Sequence, residues 1–219
     1  MVKIIINADD FGASEVVNSA IESAIREKLI TSTTMMVNGS SFDEAVKFAK
    51  SHKNVSYGIH LNLTQFQSLT NPPIFTRLGI MNDVKFYARS RNFLSLSNIS
   101  YELLCAIEKE WIAQIGKFID SGLGLPSHID SHHHVHTSPY LFIILKNIQK
   151  RFGIKKVRNT KNCYSRANNN SLFLLIKKKI WSQSLKNIYK TKTTDKFLSY
   201  AEFIQLSDIG SDISYELMC

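Results

Sequence analysis

The stretch KIIINADDFG (residues 3–12) decides the fold class, because it joins a predicted strand to the start of a helix. Residues 3–8 form a short β-branched apolar run of the kind found in buried strands, and the run stops at Asp9 and Asp10. Ser14 can cap a helix, and the apolar residues that follow it recur every three to four positions. The stretch therefore predicts a strand, a polar loop and an amphipathic helix, in that order.

The same alternation continues along the chain. Beyond this helix the pattern predicts a strand over 31–39, a helix over 41–51, a strand over 55–64, a helix over 99–120, a strand over 126–136, a helix over 138–153 and a strand over 155–159. Strands that alternate with helices form a parallel sheet, which is either doubly wound or closed into a (β/α) barrel. In both architectures the active site lies at the C-terminal ends of the strands.

The length of 219 residues predicts a single domain, over 1–219, with two irregular segments. Residues 65–97 carry Pro, Asn and Ser without periodicity, which predicts a long loop that covers an active site. Residues 160–200 form an irregular excursion, within which LFLLIKKKIW (172–181) is predicted to be helical. The final ISYELMC (213–219) begins a further strand.

The composition excludes several classes of protein. A hydrophobic fraction of 44% with 21% charged residues excludes a disordered or fibrous chain, and three cysteines without a C-x-x-C pair exclude a thiolate zinc site. Because no apolar run approaches about 18 residues, we predict no membrane span and a cytoplasmic location. The net charge of +9 fits an anionic partner or a solvated lysine face; without a nucleic-acid motif the second is favoured, and no nucleic-acid partner is predicted. The sequence is also compatible with a homodimer.

The stretch HIDSHHHVH (128–136) contains five of the seven histidines. If it is an extended strand, alternate side chains share a face, and that face carries His128, Asp130, His132, His134 and His136. Same-face neighbours on a strand stand nearly 7 Å apart, so one ion could take only one or two of them as ligands. A surface tract or a tag remnant is the alternative, but the run lies between two predicted helices.

Two other strand ends offer further ligands. The stretch GIHLNLT (58–64) presents His60 and Asn62 on one face, and the first strand ends at Asp9 and Asp10. Because adjacent residues on a strand diverge, one of these carboxylates would bind a metal ion and the other would act as a base. A lone strand histidine is more often a core residue, but three polar strand ends together favour metal-assisted hydrolysis.

Four motifs together resemble the carbohydrate deacetylases of the YdjC-like group, which includes chitooligosaccharide and hopanoid-associated deacetylases. The motifs are NADDFG (7–12), TSTTMMVNG (31–39), GIHLNLT (58–64) and SHIDSHHHVH (127–136). The resemblance extends from residue 3 to about residue 158. It implies an α/β fold of the (β/α) barrel-like type, distorted or incomplete, with outer helices. It also implies metal-dependent removal of the acetyl group from an N-acetylated sugar.

The resemblance also implies roles for individual residues. Asp10, His60 and His132 correspond to ligands of one divalent metal ion, and Asp9 corresponds to the general base. Magnesium is the ion that the resemblance implies, whereas two imidazoles and one carboxylate suit zinc or another transition ion better. The residues that would orient ligands or line the sugar site are Asn62, His128, Asp130, His134 and His136. Arg158 would hold the base by ion pairing.

The resemblance has one departure, at the end of the sequence. Family members usually continue after a segment like YELMC (215–219) with a His-Pro pair, whose histidine is a candidate general acid. From this difference we expect a chain that lacks the last strand and helix, binds metal and deacetylates poorly. Alternatively, His134 or His136 supplies the proton. A metal-dependent phosphohydrolase and a non-catalytic sugar-binding protein are the competing hypotheses.

Overall fold

The computed structural model describes residues 2–82, 85–86, 99–163, 172–206 and 209–219. Its strands and helices are, in chain order, β1 (Lys3–Phe11), α1 (Glu15–Arg26), β2 (Ser32–Met35), α2 (Phe42–Ser51), β3 (Ser56–Leu61), α3 (Pro73–Arg77), β4 (Met81–Asn82), β5 (Lys85–Phe86), α4 (Tyr101–Phe118), β6 (Ile129–Ser131), α5 (Phe142–Phe152), α6 (Leu172–Asn187), β7 (Lys196–Ser199), α7 (Tyr200–Phe203) and β8 (Ser214–Met218).

Six of these strands form one parallel sheet in the order β6-β3-β2-β1-β8-β7. The sheet curves into a half-barrel with helices on its outer side. Beyond its two edges, single parallel bridges join Val157 to Ile129 of β6 and Lys156 to Lys192. In the described residues the sheet therefore continues beyond β6 only through isolated bridges, and the predicted α/β, incomplete barrel-like fold is confirmed.

The hydrophobic core lies between the sheet and the outer helices. Ile25 of α1 and Trp111 and Phe118 of α4 are almost completely buried there. Helix α1 begins where the sequence predicts a cap, because the Ser14 hydroxyl accepts a hydrogen bond from the Val17 amide. These caps and apolar stripes fix where each helix begins and which face packs on the sheet.

The histidine-rich stretch differs from the prediction. The strand predicted over 126–136 is only three residues long, and His132–Thr137 form a 3-10 turn in which His133 and His134 have φ values of 52° and 55°. Histidine tolerates this left-handed region better than most residues. The prediction that alternate residues share one face through His136 is therefore wrong beyond Asp130. The turn is held by Ser131, whose hydroxyl accepts the amide N–H of His136 at 2.9 Å.

The segments predicted as irregular contain short elements. The predicted loop over 65–97 includes α3 and the antiparallel pair β4 and β5, while 83–84 and 87–98 lie outside the described residues. The predicted helix over 172–181 is confirmed as α6. The strand predicted over 155–159 was wrong, because this segment forms only single bridges. Within the described ranges, no helix combines the length and apolar character needed to cross a membrane.

The turn after β1 packs tightly against the turn after β2 at Gly39. A Cβ atom on Gly39 would lie 2.2 Å from the carbonyl oxygen of Gly12 and 2.7 Å from Cα of Ala13. Both are backbone atoms, so they cannot move aside without displacing the turn that follows Asp10. Gly39 thus allows two strand ends to approach each other closely.

We expect Gly39→Ala to lower the free energy of unfolding by about 1–3 kcal/mol, because the added methyl group overpacks a backbone contact. Urea unfolding monitored by circular dichroism measures the change. Gly116→Ala is the matched control: a Cβ there meets nothing within 4 Å, and its place inside α4 favours alanine by about 0.5–1 kcal/mol. Equal stabilities of the two variants would contradict the close contact at Gly39.

Candidate metal centre

A bulge at the end of β1 separates the two adjacent carboxylates. The pairing between β1 and β2 shifts register between Ala8 and Phe11, and Asp10 has a φ of 69°. The Asp10 carbonyl accepts a hydrogen bond from the Ala13 amide at 2.9 Å, which closes the turn. Bulges often redirect a side chain next to a functional site. Here the bulge directs Asp9 and Asp10 toward different partners.

Asp10, His60 and His132 meet at one point. Oδ1 of Asp10 lies 3.0 Å from Nε2 of His60 and 2.9 Å from Nδ1 of His132. One ligand atom from each residue lies within 4.8 Å of the other two. Ligand atoms of a tetrahedral zinc ion stand roughly 3.4 Å apart, so shifts of a few tenths of an ångström would admit an ion. The structure brings the three residues together, and their role as ligands stays a prediction.

The surroundings of this group suit a catalytic ion with an open position. The His60 side chain is 2% exposed, whereas the Asp10 side chain is 33% exposed. Nε2 of His132 is buried and lacks a hydrogen-bond partner among the described residues. The group is therefore closed behind His60 and accessible at Asp10. Catalytic zinc sites commonly combine three protein ligands with one position left for water or substrate.

Asp130 holds His60 from the opposite side of the ring. Oδ1 of Asp130 lies 2.7 Å from Nδ1 of His60, and Oδ2 of Asp130 accepts a hydrogen bond from the Thr34 hydroxyl at 2.9 Å. A carboxylate bound to one imidazole nitrogen fixes the ring and leaves the other nitrogen for a metal ion. Asp130 therefore contacts the predicted ligand His60, and its role in orienting a metal ligand stays a prediction.

Arg158 holds Asp9 through two parallel hydrogen bonds. The guanidinium nitrogens lie 2.6 and 2.7 Å from the two carboxylate oxygens of Asp9. The Asn7 amide adds a third hydrogen bond, at 2.8 Å from Oδ1 of Asp9. A bidentate pair fixes both the position and the plane of a carboxylate. The predicted pairing of Arg158 with Asp9 is present, and the role of Asp9 as a base stays a prediction.

Neighbouring opposite charges shift the pKa values of Asp10 and His60 in opposite directions. Burial alone would raise the pKa of Asp10, but hydrogen bonds from His132 and His60 lower it well below its usual range. Burial alone would lower the pKa of His60, but the charge of Asp130 and the contact with Asp10 raise it to about 10. His60 therefore carries a proton at neutral pH. A cation that binds here must displace that proton, because ligand imidazoles are neutral.

A second group also brings potential ligand atoms within 4.8 Å of one another: Asp9, His60 and Asp130. However, the Arg158 guanidinium contacts both carboxylates of this group, at 2.6 Å from Asp9 and 2.8 Å from Asp130. A metal ion placed there would face a fixed positive charge. The geometry therefore favours one ion, at Asp10, over two.

The polar atoms of Asn62 and His136 form hydrogen bonds within the protein. Oδ1 of Asn62 accepts hydrogen bonds from the amides of Thr64 and Gln65, at 2.9 and 3.2 Å. His136 is fully buried, with Nδ1 2.5 Å from the Ser131 hydroxyl and Nε2 3.2 Å from the Arg158 carbonyl. The hypothesis that His136 gives a proton to a substrate does not fit this burial. Both residues instead hold loops around the site.

His128 and His134 contact residues outside the group formed by Asp10, His60 and His132. His128 precedes β6, with Nδ1 2.8 Å from the Ser127 hydroxyl and Nε2 3.3 Å from Oδ1 of Asn7. The His134 ring packs edge-on against Phe197, and burial lowers its pKa to about 4. Both rings are therefore neutral at pH 7, because burial also lowers the pKa of His128 to about 4.

We expect acid to destabilise the fold through buried neutral histidines. Burial lowers the pKa of His136 to about 3, whereas the unfolded residue titrates near 6.5. The unfolded chain therefore binds the extra proton between these values, and the stabilisation is complete above about pH 6.5 and is lost as the pH falls. At pH 5 the loss is about 2 kcal/mol for this group. Urea titrations from pH 8 to 5 should give a shallower slope for His136→Asn than for the wild type; an unchanged slope would refute this assignment.

Three residues that hold the site were absent from the sequence prediction: Asn7, Thr34 and Glu216. Glu216 lies on β8, is buried, and its Oε1 lies 2.5 Å from Nε of Arg158. A lone carboxylate in an apolar strand was the available signal, because a buried charge requires a partner. Asn7 is two positions before Asp9 on the same strand, so the period of two could have placed it on the same face.

Comparison with known proteins shows relatives over most of the chain. The family model described as YdjC-like protein matches residues 3–219. A carbohydrate deacetylase of Brevibacillus brevis is 39% identical over 152 residues, which are 69% of this chain and 57% of that protein. A chitooligosaccharide deacetylase of Citrobacter koseri is 36% identical over 151 residues, with the same two coverages of 69% and 57%. The matched part of the chain thus spans little more than half of each relative.

A solved structure supports the same grouping. A protein of Enterococcus faecalis V583, provisionally named a cellobiose-phosphate cleavage protein, superposes with a TM-score of 0.75 and 25% sequence identity. The superposition covers 99% of this chain and 80% of that one. With the family model matched from residue 3 to residue 219 and the half-barrel shared with a solved structure, the chain belongs to the YdjC-like family.

Proposed function

We propose that this chain is a metal-dependent hydrolase that removes the acetyl group from an N-acetylated amino sugar or oligosaccharide. One observation carries the proposal: Asp10, His60 and His132 converge, while the neighbouring Asp9 is held apart from them by Arg158. This arrangement offers a cation site and a separate base. The relatives named carbohydrate deacetylase and chitooligosaccharide deacetylase support the substrate class.

The donor set suits a divalent ion held by Asp10, His60 and His132. Two imidazoles and one carboxylate favour zinc or another transition ion, whereas the family resemblance suggests magnesium. When bound, such an ion supplies a Lewis acid that polarises the acetamide carbonyl and lowers the pKa of water. Asp130 keeps the His60 ring in place through its 2.7 Å contact with Nδ1.

Asp9 would take the proton from the water that attacks the acetyl carbon. One of its carboxylate oxygens lies within 4.8 Å of a ring nitrogen of His60, so the proposed base adjoins one of the proposed ligands. The two hydrogen bonds from Arg158 keep the carboxylate from rotating toward the ligands. A base fixed within reach of the water typically contributes about 10²- to 10⁴-fold to the rate.

A phosphohydrolase with two ions is less consistent with this site. Two-metal enzymes hold their ions about 3.5–4 Å apart, and both carboxylates of the second candidate group are here bound to the Arg158 guanidinium. A non-catalytic sugar-binding protein would bind oligosaccharide without releasing acetate. The experiment below distinguishes all three functions.

The test is acetate release after stripping the protein of metal and adding back zinc, manganese, cobalt or magnesium. We expect ion-dependent release from an N-acetylated chitooligosaccharide and none from a phosphate ester. Asp10→Asn should weaken ion binding by at least about 10-fold and reduce acetate release to background, because a charged ligand is lost. Asp43→Asn, an exposed position on α2, is the matched control. Oligosaccharide binding without acetate release, under any ion that binds, would refute the proposal.

A further inference from the structure

The half-barrel encloses a cavity of about 500 Å³ at the end of the sheet opposite the candidate metal centre. Its wall includes Ile5, Ser32 and Ser56, which lie near the starts of β1, β2 and β3. Asp10 and His60 lie near the other ends of β1 and β3. The cavity therefore lies away from Asp10 and His60, although its wall also includes His128 and Arg158, the second of which binds Asp9.

Small side chains create this space. Barrel interiors are usually filled with layers of bulky branched residues, but the wall here carries Ser32, Ser56 and Ser214. At Gly58 the space is instead filled by the ring of His128, because a Cβ there would lie 2.5 Å from Cε1 of that ring. The small residues near the strand starts therefore leave this end of the barrel unfilled.

The wall is rich in hydroxyl groups, and two of them lack a hydrogen-bond partner. Seven of the fifteen lining residues are serine or threonine. Thr194 is 8% exposed, and the hydroxyls of Thr193 and Thr194 are buried without a hydrogen-bond partner in the part of the chain that the structure describes. An unsatisfied buried hydroxyl costs about 1–3 kcal/mol, and rotation of either side chain toward the cavity would let its hydroxyl bind a polar ligand.

Two lysines give the cavity a positive rim. Lys156 and Lys192 both line it and lie opposite each other across a parallel bridge. Neither forms an ion pair with a described residue. Like charges placed directly opposite destabilise neighbouring strands, so an anion between them would relieve this repulsion. The nearby carboxylate of Glu216 is already committed to Arg158 at 2.5 Å.

We propose that this cavity is a second binding site, for a small hydroxylated oxyanion such as the phosphate monoester of a polyol. The two ammonium groups would bind the anionic group, and the threonine and serine hydroxyls would bind the remaining oxygens. A volume of about 500 Å³ lies within the usual range of about 300–1,000 Å³ for small-molecule sites, and it exceeds what a lone phosphate ion needs.

The test is isothermal titration calorimetry of the metal-free protein with inorganic phosphate, glycerol 3-phosphate and gluconate, each in a separate titration. We expect saturable binding to one site, tighter for glycerol 3-phosphate than for phosphate. Binding of both phosphates but not of gluconate would identify a phosphate site, and binding of gluconate alone would identify a carboxylate site; both outcomes support the proposal. The absence of saturable binding of all three probes would overturn it.

Matched variants locate the binding. Lys156→Met and Ser56→Leu should each weaken binding by at least 10-fold, the first by removing charge and the second by filling the cavity mouth. Lys155→Met is the control, because Lys155 is also exposed but does not line the cavity. Asp10→Asn should bind the probes as well as the wild type. An equal loss in Lys155→Met, or a loss in Asp10→Asn, would overturn the location.

Discussion

Asp9→Asn should lower kcat for acetate release by about 10²- to 10⁴-fold while the protein still binds its divalent ion. The reason is geometric: Asp9 is held by Arg158 at 2.6 and 2.7 Å and by Asn7 at 2.8 Å, whereas the candidate ligands gather around Asp10. The substitution removes the proton acceptor and leaves the ligand atoms of Asp10, His60 and His132. Steady-state kinetics and a metal titration on the same preparation measure both quantities.

Two controls separate catalysis from folding. The new amide group faces the Arg158 guanidinium, so unfolding must be measured for Asp9→Asn and the assay run where the variant is fully folded. Asp120→Asn, an exposed position just after α4, should keep full activity. Loss of metal binding in parallel with activity would make Asp9 a ligand, and retained activity would remove it from the reaction.

The local pattern of the sequence was sufficient for the class of fold. The β-branched run over 3–8, the Ser14 cap and the apolar stripe that follows it depend on contacts between near neighbours in the chain. The side of each helix that packs inward follows from its period, so the alternation of strands and helices could be recognised. A parallel sheet with outer helices follows from that alternation.

The order of the strands in the sheet could not be predicted from the local sequence pattern. β8, the last strand, pairs with β1, the first, and lies between β1 and β7. This pairing joins Ile5 to Glu216, which are more than 200 positions apart in the sequence. It brings Glu216 to Arg158, so the residue that completes the ion-pair network was also missed.

The sequence predicted that Asp10, His60 and His132 converge and that Arg158 pairs with Asp9, but it did not predict the turn that follows β6. Asp10, His60 and His132 could be brought together because His60 and His132 lie in the C-terminal halves of predicted strands and Asp10 lies just beyond one. The turn from His132 onward depends on the contact of Ser131 with His136 and on left-handed backbone at His133 and His134. Those features come from tertiary packing at the barrel end, and the alternation of an extended strand cannot represent them.

The ion-pair network around Arg158 links the candidate base to the fold itself. The side chain of Arg158 is fully buried and contacts three carboxylates, those of Asp9, Asp130 and Glu216. These charges raise the pKa of Arg158 well above its usual value, although burial opposes the rise. Burial conversely raises the pKa of Glu216, although the guanidinium opposes that rise. The positive charge of Arg158 therefore stabilises the buried negative charges of the neighbouring carboxylates.

Arg158→Met should lower the free energy of unfolding at pH 7.5 by about 3–5 kcal/mol, because it leaves buried carboxylates without a counterion. The deficit relative to the wild type should shrink as the pH falls to 5.5, since protonation removes the unpaired negative charge and the variant's carboxylates bind protons more readily when folded. Urea unfolding at both pH values measures it. Arg151→Met, an exposed position on α5, should stay within about 0.5 kcal/mol of the wild type. A deficit below 1 kcal/mol, or one that grows as the pH falls, would mean that Asp9 is held by something other than the Arg158 charge.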